Sequence, residues 1–457
     1  MNAQQISADS VVDMSGGANM TTLPSTGKPT EEVASLMDSA LADMTGESAG
    51  KLAATAFWGT DQVKAIVSEA YERFGGWNAL FTFQEPGAAR IENDVLDICI
   101  GLGGGDENAR GNLTSGGTES NFCALHAMRS WARETKPSVT RPNVVAPYSI
   151  HATVHKAARV LDIEMRTVAQ GPFDPLDLNA MRDLIDENTI GLMGSAPSWP
   201  FGQVDPIAEM GQVALEKDLW LHVDGCVGAY VLPFFRDLGE DIPNYNLSVP
   251  GVRSLSGDLH KYGFTPKPLS SILWKSQAEQ AYHFLPVTDW PCGLYISQSL
   301  IGSRPFAPIA AAWGLFNGLG YEGYRENARK ILETRNRILA AARDIPGLEP
   351  WPTHGPLIQI GARGFEITQV IGGMTVRGWN LLGVQEPPAI HLTVDLLSPA
   401  ELDRFITDLE EVTTLVRDGK SDEDGLLSYG GVAAEETAPK WLLSAVEILS
   451  QPKTEEV

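Results

Sequence analysis

The sequence contains few cysteines and no metal-binding pattern among them. Four cysteines occur in 457 residues, and their scatter, without CxxC spacing, predicts neither a zinc knuckle nor a disulfide framework. We therefore expect reduced, mostly buried thiols and no metal site. The four residues are Cys99, Cys123, Cys226 and Cys292.

Basic side chains are also scarce. The chain has 34 Lys and Arg residues against 58 Asp and Glu residues, which gives a formal net charge of −24. Nucleic acid and anionic membrane surfaces would repel a body of this charge, so we expect neither of them as a partner.

Long apolar runs are absent from the sequence. Its first residues, MNAQQISADSVVDMSGG, have neither the basic start nor the apolar run of a signal peptide, and no uninterrupted apolar stretch is long enough to span a bilayer. These absences predict a cytoplasmic protein without a membrane anchor. The hydrophobic content of 43% is ordinary for a globular chain, and the length allows two or three domains.

The N-terminal part of the chain is predicted to be irregular and then helical. Residues 1 to about 30 are rich in Ser, Thr, Gly and Asp, and we interpret residues 1–50 as a flexible arm with one helix around EEVASLMDSALADM. Helical spacing in DQVKAIVSEAYERF and ARIENDVLDICIGLGG then predicts a helical segment over residues 51–105.

An alternation of apolar runs and helix-length segments predicts a large domain over residues 106–302. The runs NVVAPYS, IGLMGSAP and LWLHVDG (143–149, 190–197 and 219–225) are short and end in small or polar residues. This alternation favours a mostly parallel sheet that is covered by helices on both faces.

The remaining chain is predicted to form a smaller α+β domain over residues 303–418. A helical stretch at about 307–345 is followed by the apolar segments PLIQIGAR and AIHLTVDLL, with a helix between them. Residues 419–457 are predicted to form an acidic, loop-like tail, in which WLLSAVEILS is typical of a short amphipathic helix.

The segment TSGGTES (114–120) precedes a helical pattern that starts near Glu119. Two glycines and the hydroxyl residues beside them would form a cup of backbone N–H groups at a helix N-terminus, which is an arrangement that binds phosphate. The alternative is an ordinary glycine turn in which Thr118 caps the helix.

Three further residues follow predicted strands. Asp224 comes just after LWLHV, where a buried carboxylate is costly unless it meets a cation such as a protonated pyridine nitrogen; the alternative is a helix cap or a loop ion pair. His151 lies at a strand-to-helix junction, where it either packs on a planar ligand or is a core histidine. The run VPGVRSLSGD predicts a turn, a short strand and a turn, which places Lys261 of SLSGDLHKYG near a strand end. This lysine is either an exposed loop residue or an amine that condenses with a carbonyl cofactor.

The order of these features along the chain is typical of a pyridoxal phosphate site, because the cup, the two strand-end residues and the DLHK lysine fall at successive edges of one sheet. Over about residues 50–415 the chain resembles the group II pyridoxal phosphate decarboxylase family, and within it the sphingosine-1-phosphate lyases. The motifs that carry the resemblance are TSGGTES, HATVHKAA, DENTIGLMGSAPSWPFGQVDPI, LHVDGCVGAYVLPF, SLSGDLHKYGFTPK, TDWPCGLYISQSLIGSRP and RGWNL.

The resemblance implies an α/β fold of the pyridoxal phosphate-dependent transferase type, which is the aspartate aminotransferase-like fold type I. In that fold the large domain has a mostly parallel sheet and the C-terminal domain is a smaller α+β unit. It also implies a homodimer whose two active sites each use residues of both subunits.

The resemblance further implies roles for residues around pyridoxal 5'-phosphate. Lys261 would bind the cofactor covalently, Asp224 would keep its pyridine nitrogen protonated, and His151 would stack on its ring. Lys267 in TPK would be a second active-site lysine near the polar head of the substrate. The residues that would bind the cofactor phosphate are Gly117, Thr118 and His260 and, from the partner subunit, Gly302 and Ser303.

One departure from the family concerns the substrate. Where the family has Asn-Pro-Leu-His before the cofactor loop, this chain has NALF, which keeps Asn78 and places Phe81 at the histidine position. Phe57 in ATAFWG stands where the resemblance implies a tyrosine. Phenyl rings cannot donate hydrogen bonds to a phosphate, and a lost charge-assisted contact costs about 1.5–3 kcal/mol. We therefore expect an unphosphorylated substrate.

The favoured function is that of an aldehyde-lyase, which cleaves the Cα–Cβ bond of a small-molecule β-hydroxy amine or β-hydroxy amino acid. The alternative is α-decarboxylation of an amino acid, which uses the same cofactor residues and differs in the bond that is held perpendicular to the ring. A third alternative is a binding or regulatory module without catalysis, which the joint presence of Lys261, Asp224 and His151 disfavours.

Overall fold

The computed structural model describes residues 24–42, 52–53, 57, 59–421, 423 and 425. The predicted arm before residue 24 and the predicted amphipathic helix WLLSAVEILS at 441–450 lie outside these residues. The chain divides into two compact units, and the unit over residues 47–427 holds both β-sheets. The described part of the other unit contains helix α1, Thr30–Ala42, which confirms the helix predicted around EEVASLMDSALADM.

A mostly parallel sheet of seven strands forms the centre of the larger unit, in the order β1-β7-β6-β5-β4-β2-β3. The adjacent strands β6, β5, β4, β2 and β3 all run parallel to one another. Strand β7 runs antiparallel to both of its neighbours, β1 and β6. The strands are β1 Arg110–Thr114, β2 Asn143–Pro147, β3 Glu164–Val168, β4 Thr189–Ser195, β5 Trp220–Asp224, β6 Val252–Gly257 and β7 Ser270–Trp274. The three predicted apolar strands are thus confirmed as β2, β4 and β5, and the short strand predicted within VPGVRSLSGD is confirmed as β6.

Helices pack on this sheet, as the alternating pattern predicts, and other helices precede its first strand in the chain. Two of them, α2 and α3, confirm the predicted helical segment, and α10 confirms the helical stretch predicted at about 307–345. A single turn of 3₁₀ helix covers Thr82–Gln84. The helices are α2 Asp61–Phe74, α3 Pro86–Leu102, α4 Gly117–Thr135, α5 Ala152–Val160, α6 Leu178–Asp183, α7 Ile207–Glu216, α8 Leu232–Asp237, α9 Gln277–Ala281 and α10 Ala307–Asp344.

Close packing of α4 on the sheet depends on a glycine in β4. A Cβ atom at Gly191 would lie 2.4 Å from Sδ of Met128 on α4, which is far inside contact distance. The bare backbone at this position therefore lets the helix lie against the strand. Helix α4 therefore lies close to the sheet, and its N-terminus lies near the ends of the central strands.

An antiparallel sheet of four strands lies further along the chain, in the order β10-β11-β9-β8. Its helix α12 begins with a capping box, in which the Ser398 hydroxyl and the Glu401 carboxylate exchange hydrogen bonds with backbone N–H groups. The elements are β8 Leu348–Pro350, β9 Leu357–Ala362, α11 Ile367–Val376, β10 Leu382–Val384, β11 Ala389–Thr393 and α12 Pro399–Arg417. The α+β pattern is confirmed, while a domain boundary between residues 302 and 303 stays a prediction.

No helix within the described ranges is both long enough and apolar enough to cross a membrane.

A buried ion pair joins α3 to the segment that precedes α10. Arg304 donates to Oε1 of Glu92 at 3.0 Å, and the two side chains are only 5% and 3% exposed. The same guanidinium donates to the backbone carbonyls of Ala79, at 2.7 Å, and Leu113, at 3.4 Å. The Thr82 hydroxyl donates to the other carboxylate oxygen. One side chain therefore fastens four separate stretches of chain.

We expect Arg304→Met to destabilise the protein by about 3–5 kcal/mol, because it leaves the Glu92 carboxylate buried without its cation. The measurement is the midpoint of urea unfolding. Arg337→Met, which breaks a surface pair with Asp403, is the control and should cost less than about 1 kcal/mol. The double variant Arg304→Met, Glu92→Leu should recover part of the lost stability. Equal losses in Arg304→Met and Arg337→Met would contradict this account.

Candidate active site

Lys261 lies in the loop after β6 and forms an ion pair with a buried carboxylate. Its Nζ atom is 2.9 Å from Oδ2 of Asp258, which is 4% exposed and also accepts a hydrogen bond from the Ser270 hydroxyl at 2.6 Å. Burial alone would lower the pKa of Lys261, but the charge of Asp258 outweighs it and the pKa is raised. The interpretation of Lys261 as an exposed loop residue is therefore wrong.

Asp224 is the last residue of β5 and is 7% exposed. Its carboxylate accepts hydrogen bonds from Nδ2 of Asn121 at 2.9 Å, from the backbone N–H of Cys226 at 3.0 Å and from the Ser256 hydroxyl at 3.3 Å. Burial acts to raise its pKa, but His151 and these donors lower it below the usual value. The hydrogen-bond donors are neutral groups, so the alternative of a loop ion pair is wrong.

The amide of Asn121 on α4 connects Asp224 to two neighbouring elements. Its Nδ2 atom also donates to the Thr153 hydroxyl at 3.1 Å, and its Oδ1 atom lies 3.1 Å from Nε2 of His222. Burial lowers the pKa of His222 to about 4, so this imidazole is neutral at pH 7 and donates through Nε2. The other ring nitrogen of His222 lies 2.9 Å from the Ser254 hydroxyl.

His151 caps helix α5 at the strand-to-helix junction that the sequence predicts. Its Nδ1 atom accepts the backbone N–H of Thr153 at 3.2 Å and lies 2.9 Å from the hydroxyl of the same residue. Burial lowers its pKa, which keeps the imidazole neutral at pH 7. Its ring is half-buried, and its partner Thr153 accepts a hydrogen bond from the same Asn121 amide that donates to Asp224.

The TSGGTES segment connects β1 to α4 and lies against the Lys261 loop. A Cβ atom at Gly117 would be 2.5 Å from Sγ of Cys226 and 3.0 Å from Oδ1 of Asp258, and one at Gly116 would be 3.6 Å from Cε1 of His260. Helix α4 begins at Gly117 with Gly116 at the N-cap position, so the alternative in which Thr118 caps the helix is wrong. The helix N-terminus therefore faces the site.

Two more predicted residues lie near the Lys261 ammonium. His260 accepts the backbone N–H of Leu269 at 3.3 Å through Nδ1, and its Nε2 atom is 3.6 Å from Oδ2 of Asp258. Burial lowers the pKa of His260, and it also lowers that of Lys267, where the charge of Lys261 adds to the effect. Both side chains therefore belong to the electrostatic environment of Lys261.

The GSRP segment is held by contacts within its own chain. The Ser303 hydroxyl accepts a hydrogen bond from Nδ2 of Asn78 at 3.0 Å, and Oδ1 of Asn78 accepts the backbone N–H groups of Leu80 at 2.9 Å and Arg304 at 3.1 Å. Among the contacts of the described residues, none joins Ser303 or Gly302 to Lys261. A single chain thus brings Ser303 to Asn78 and not to the strand-end cluster.

The two phenylalanines of interest have different surroundings. Phe57 packs edge-on against Tyr262, the residue after Lys261, with ring centroids 4.9 Å apart. Phe81 is 37% exposed and packs edge-on against Phe83 at 5.8 Å. Phe57 therefore lies beside the Lys261 loop, whereas Phe81 stands next to the Asn78 segment.

Three residues around Lys261 were missed by the sequence reasoning. Asp258 stands three residues before the lysine in the same motif, and that spacing was the available signal for an ion pair. Asn121 follows Gly117 by one helical turn, which places both on one face of α4. Trp199, whose ring centroid lies 5.8 Å from Nζ of Lys261, stands in the motif DENTIGLMGSAPSWPFGQVDPI, but its stacking partner His391 is distant in sequence.

Comparison with known proteins places the chain in a family. Residues 78–344 match the family model described as the pyridoxal-dependent decarboxylase conserved domain. The sphingosine-1-phosphate lyase of Oryza sativa subsp. japonica is 36% identical over 362 residues, which cover 77% of this chain and 66% of that protein. The sphingosine-1-phosphate lyase of Drosophila melanogaster is 33% identical over 420 residues, 90% of this chain and 76% of that protein.

Solved structures agree with the sequence comparison. The structure of the Burkholderia pseudomallei sphingosine-1-phosphate lyase matches with a TM-score of 0.86 and 32% identity, covering 95% of this chain and 98% of that one. A Lactobacillus brevis glutamate decarboxylase shares the fold, with a TM-score of 0.75 and 20% identity over 88% of this chain and 96% of that one. The chain therefore belongs to the pyridoxal-dependent decarboxylase family and is a pyridoxal phosphate-dependent lyase.

Proposed function

We propose that the protein cleaves the Cα–Cβ bond of an unphosphorylated β-hydroxy amine or β-hydroxy amino acid and releases an aldehyde. The sphingosine-1-phosphate lyases among its relatives support the reaction. The replacement of two polar residues by Phe81 and Phe57 carries the proposal about the substrate. We also propose that the protein works in the cytoplasm as a homodimer.

The residues of the site fit pyridoxal phosphate at both ends of that molecule. At one end, α4 begins at Gly117, and the first backbone N–H groups of a helix have no acceptor within it and favour an anion. At the other end, Asp224 is a buried carboxylate that is hydrogen-bonded by neutral donors and is matched by the positive charge of a protonated pyridine nitrogen. We assign Gly117, Thr118 and His260 to the phosphate.

Three residues would act on the cofactor itself. When bound, pyridoxal phosphate supplies a conjugated ring that accepts the electron pair left by bond cleavage. In our proposal, Lys261 attaches the cofactor through Nζ, Asp224 holds the proton on the pyridine nitrogen, and His151 packs on the ring as a neutral imidazole. We assign Lys267 to the polar head of the substrate.

The proposed cleavage balances without an oxidant or a reductant. The β-hydroxyl proton passes to a base, and the electrons of the O–H bond form the carbonyl of the aldehyde. The electron pair of the Cα–Cβ bond stays with Cα, which takes up one proton to give the amine product. In α-decarboxylation the pair left on Cα comes from the bond to the carboxylate instead.

The environment of Asn78 supports an unphosphorylated head group. The carbonyl of its amide already accepts two backbone N–H groups, and its Nδ2 atom already donates to Ser303. Its amide is therefore largely engaged in holding the GSRP segment, and the phenyl rings of Phe81 and Phe57 supply no donor. Compared with a pocket that has polar residues at both positions, a phosphate dianion would lose two contacts here. Each lost charge-assisted hydrogen bond would weaken its binding by about 1.5–3 kcal/mol.

Product analysis tests the reaction directly. The purified protein is incubated with β-hydroxy amines, β-hydroxy amino acids and plain amino acids, and the release of aldehyde is scored against the release of carbon dioxide. We expect aldehyde from the β-hydroxy compounds. Carbon dioxide from the amino acids without any aldehyde would contradict the proposal and would favour the decarboxylase alternative.

The attachment of the cofactor to Lys261 is tested by reduction with borohydride followed by peptide mapping. We expect the holoenzyme to be yellow and the pyridoxyl adduct to be recovered on Lys261, because its Nζ atom lies in the cluster with Asp224 and His151. Lys267→Ala is the matched control and should leave the adduct in place. Recovery of the adduct on Lys267 would overturn the assignment.

The head-group pocket is tested by kinetics on Phe81→His. We expect the wild type to process an unphosphorylated β-hydroxy amine with a higher kcat/KM than sphingosine 1-phosphate, because its phenyl ring cannot bind phosphate. The imidazole of Phe81→His should narrow or reverse that preference by about tenfold or more, as expected for one charge-assisted contact. Phe83→His is the control and should change the preference little. Efficient wild-type turnover of the phosphorylated lipid alone would contradict the proposal.

The shared-site homodimer is tested by complementation. A Lys261→Ala chain and a Ser303→Trp chain should each be inactive as homodimers, since one lacks the attaching amine and the other has a blocked phosphate site. A verified heterodimer of the two should regain activity, because one of its two sites would have both residues intact. A fully inactive heterodimer would argue that Ser303 serves the site of its own chain.

A further inference from the structure

Trp199 stands beside the reacting groups of the site without a role in the proposal so far. It lies in the loop after β4, whose last residue, Ser195, is the register partner of Asp224. The Nζ atom of Lys261 is 5.8 Å from the centroid of its indole. The His151 ring meets the indole edge-on at 6.4 Å between centroids. The half-buried indole therefore forms part of the wall around the amine.

The antiparallel sheet holds Trp199 in this place. The imidazole of His391 stacks on the indole, with centroids 4.5 Å apart and an interplanar angle of 24°. Nε2 of His391 donates to the Trp199 carbonyl at 2.9 Å, and Nε2 of Gln359 is 3.4 Å from the same oxygen. His391 and Gln359 are register partners on β11 and β9. Two side chains on neighbouring strands thus fix both the backbone and the ring of Trp199.

The protonation state of His391 suits this task. Burial lowers the pKa of His391 to about 4, so its imidazole is neutral at pH 7 and carries one N–H group. The hydrogen bond to the Trp199 carbonyl assigns that proton to Nε2. A neutral ring also stacks on the indole without bringing a charge into the buried sheet.

The position of the indole bears on the part of the substrate that leaves as the aldehyde. The substrate amine has to react where Nζ of Lys261 lies, and the first atom of its β-substituent is three bonds away, at about 4 Å. An aryl group that extends from there toward the indole can reach the range of about 4.5–7 Å between centroids at which aromatic rings pack favourably, because Nζ of Lys261 is 5.8 Å from the indole centroid. A methyl group at the same place is too small to cover the indole.

We propose that Trp199 is a specificity-determining residue for the β-substituent of the substrate and that it selects an aryl group. This inference rests on the proposed function for the identity of the β-substituent. It names a substrate class, the β-aryl-β-hydroxy amines and amino acids.

Two substrates that differ only in the β-substituent test the inference. Phenylserine and threonine share the carboxylate, the amine and the hydroxyl, and carry a phenyl and a methyl group respectively. Trp199→Ala should lower kcat/KM for phenylserine about tenfold, mainly through KM, because an aromatic contact and its buried area are lost. The same variant should change kcat/KM for threonine less than about threefold.

Two further variants separate specificity from folding. Trp199→Phe keeps an aromatic face and should retain most of the preference for phenylserine. Trp313→Phe alters a tryptophan on α10 whose indole donates to Asp94 at 2.9 Å, and it should leave the preference unchanged. Thermal unfolding of each holoenzyme shows whether Trp199→Ala is folded. Equal losses for phenylserine and threonine in a folded Trp199→Ala protein would overturn the inference.

A binding measurement keeps this test independent of the reaction. 2-Phenylethylamine and ethylamine have no β-hydroxyl group, and the change they cause in the visible absorbance of the holoenzyme gives their dissociation constants. We expect Trp199→Ala to raise the dissociation constant of 2-phenylethylamine about tenfold and that of ethylamine less than about threefold. Absence of aldehyde from both hydroxy amino acids would refute the proposed function alone, whereas equal weakening of the two amines, or none, would refute the role of Trp199.

Discussion

Two buried carboxylates at the ends of neighbouring strands set the main constraint on this structure. Asp224 ends β5, and Asp258 follows directly after β6. A carboxylate without a cation in such a place costs several kcal/mol. Asp258 meets the Lys261 ammonium at 2.9 Å, while the hydrogen-bond donors to Asp224 are neutral. The site therefore has one internal ion pair and one carboxylate that favours a cationic ligand.

Helix α4 relates both ends of the site to each other. Gly117 at its first position packs against Cys226 and Asp258, and Asn121, one turn later, donates to Asp224. Residues four positions apart lie on the same helix face, so one rigid element sets the distance between the two. This geometry suits a ligand with an anionic group at one end and a cationic nitrogen at the other, as in pyridoxal phosphate. Gly191 in β4 permits the close packing that holds the helix there.

The sequence predicts the strands that are continuous apolar runs and the short strand β6 between two turns, and it does not indicate β1, β3 and β7. β2, β4 and β5 are continuous apolar runs, which is why they were predicted. RGNLT in β1 and EMRTV in β3 are polar in part, and SSILW in β7 is an antiparallel strand between two others. None of these three has the apolar run that the βα alternation requires, and their pairing is decided by the rest of the sheet.

The site residues divide in the same way. Lys261, Asp224 and His151 stand near predicted strand ends, and their joint order along the chain, together with the resemblance, identifies them as candidates where each residue alone leaves alternatives open. Trp199 contacts His391, 192 residues away in the chain, and only the folded structure brings the two rings together. Thr118 is a candidate cap by residue type, but the helix begins two residues earlier than that alternative requires. The roles of Phe81 and Phe57 stay predictions.

The protonation state of the cofactor's pyridine nitrogen tests the central claim about Asp224 most directly. The protein is loaded with pyridoxal phosphate labelled with ¹⁵N at that nitrogen, and its chemical shift is followed by NMR from neutral to mildly alkaline pH. The account predicts a protonated nitrogen throughout this range in the wild type and a deprotonated one at neutral pH in Asp224→Asn. A deprotonated nitrogen in the wild type at neutral pH, or an unchanged shift in Asp224→Asn, would contradict it.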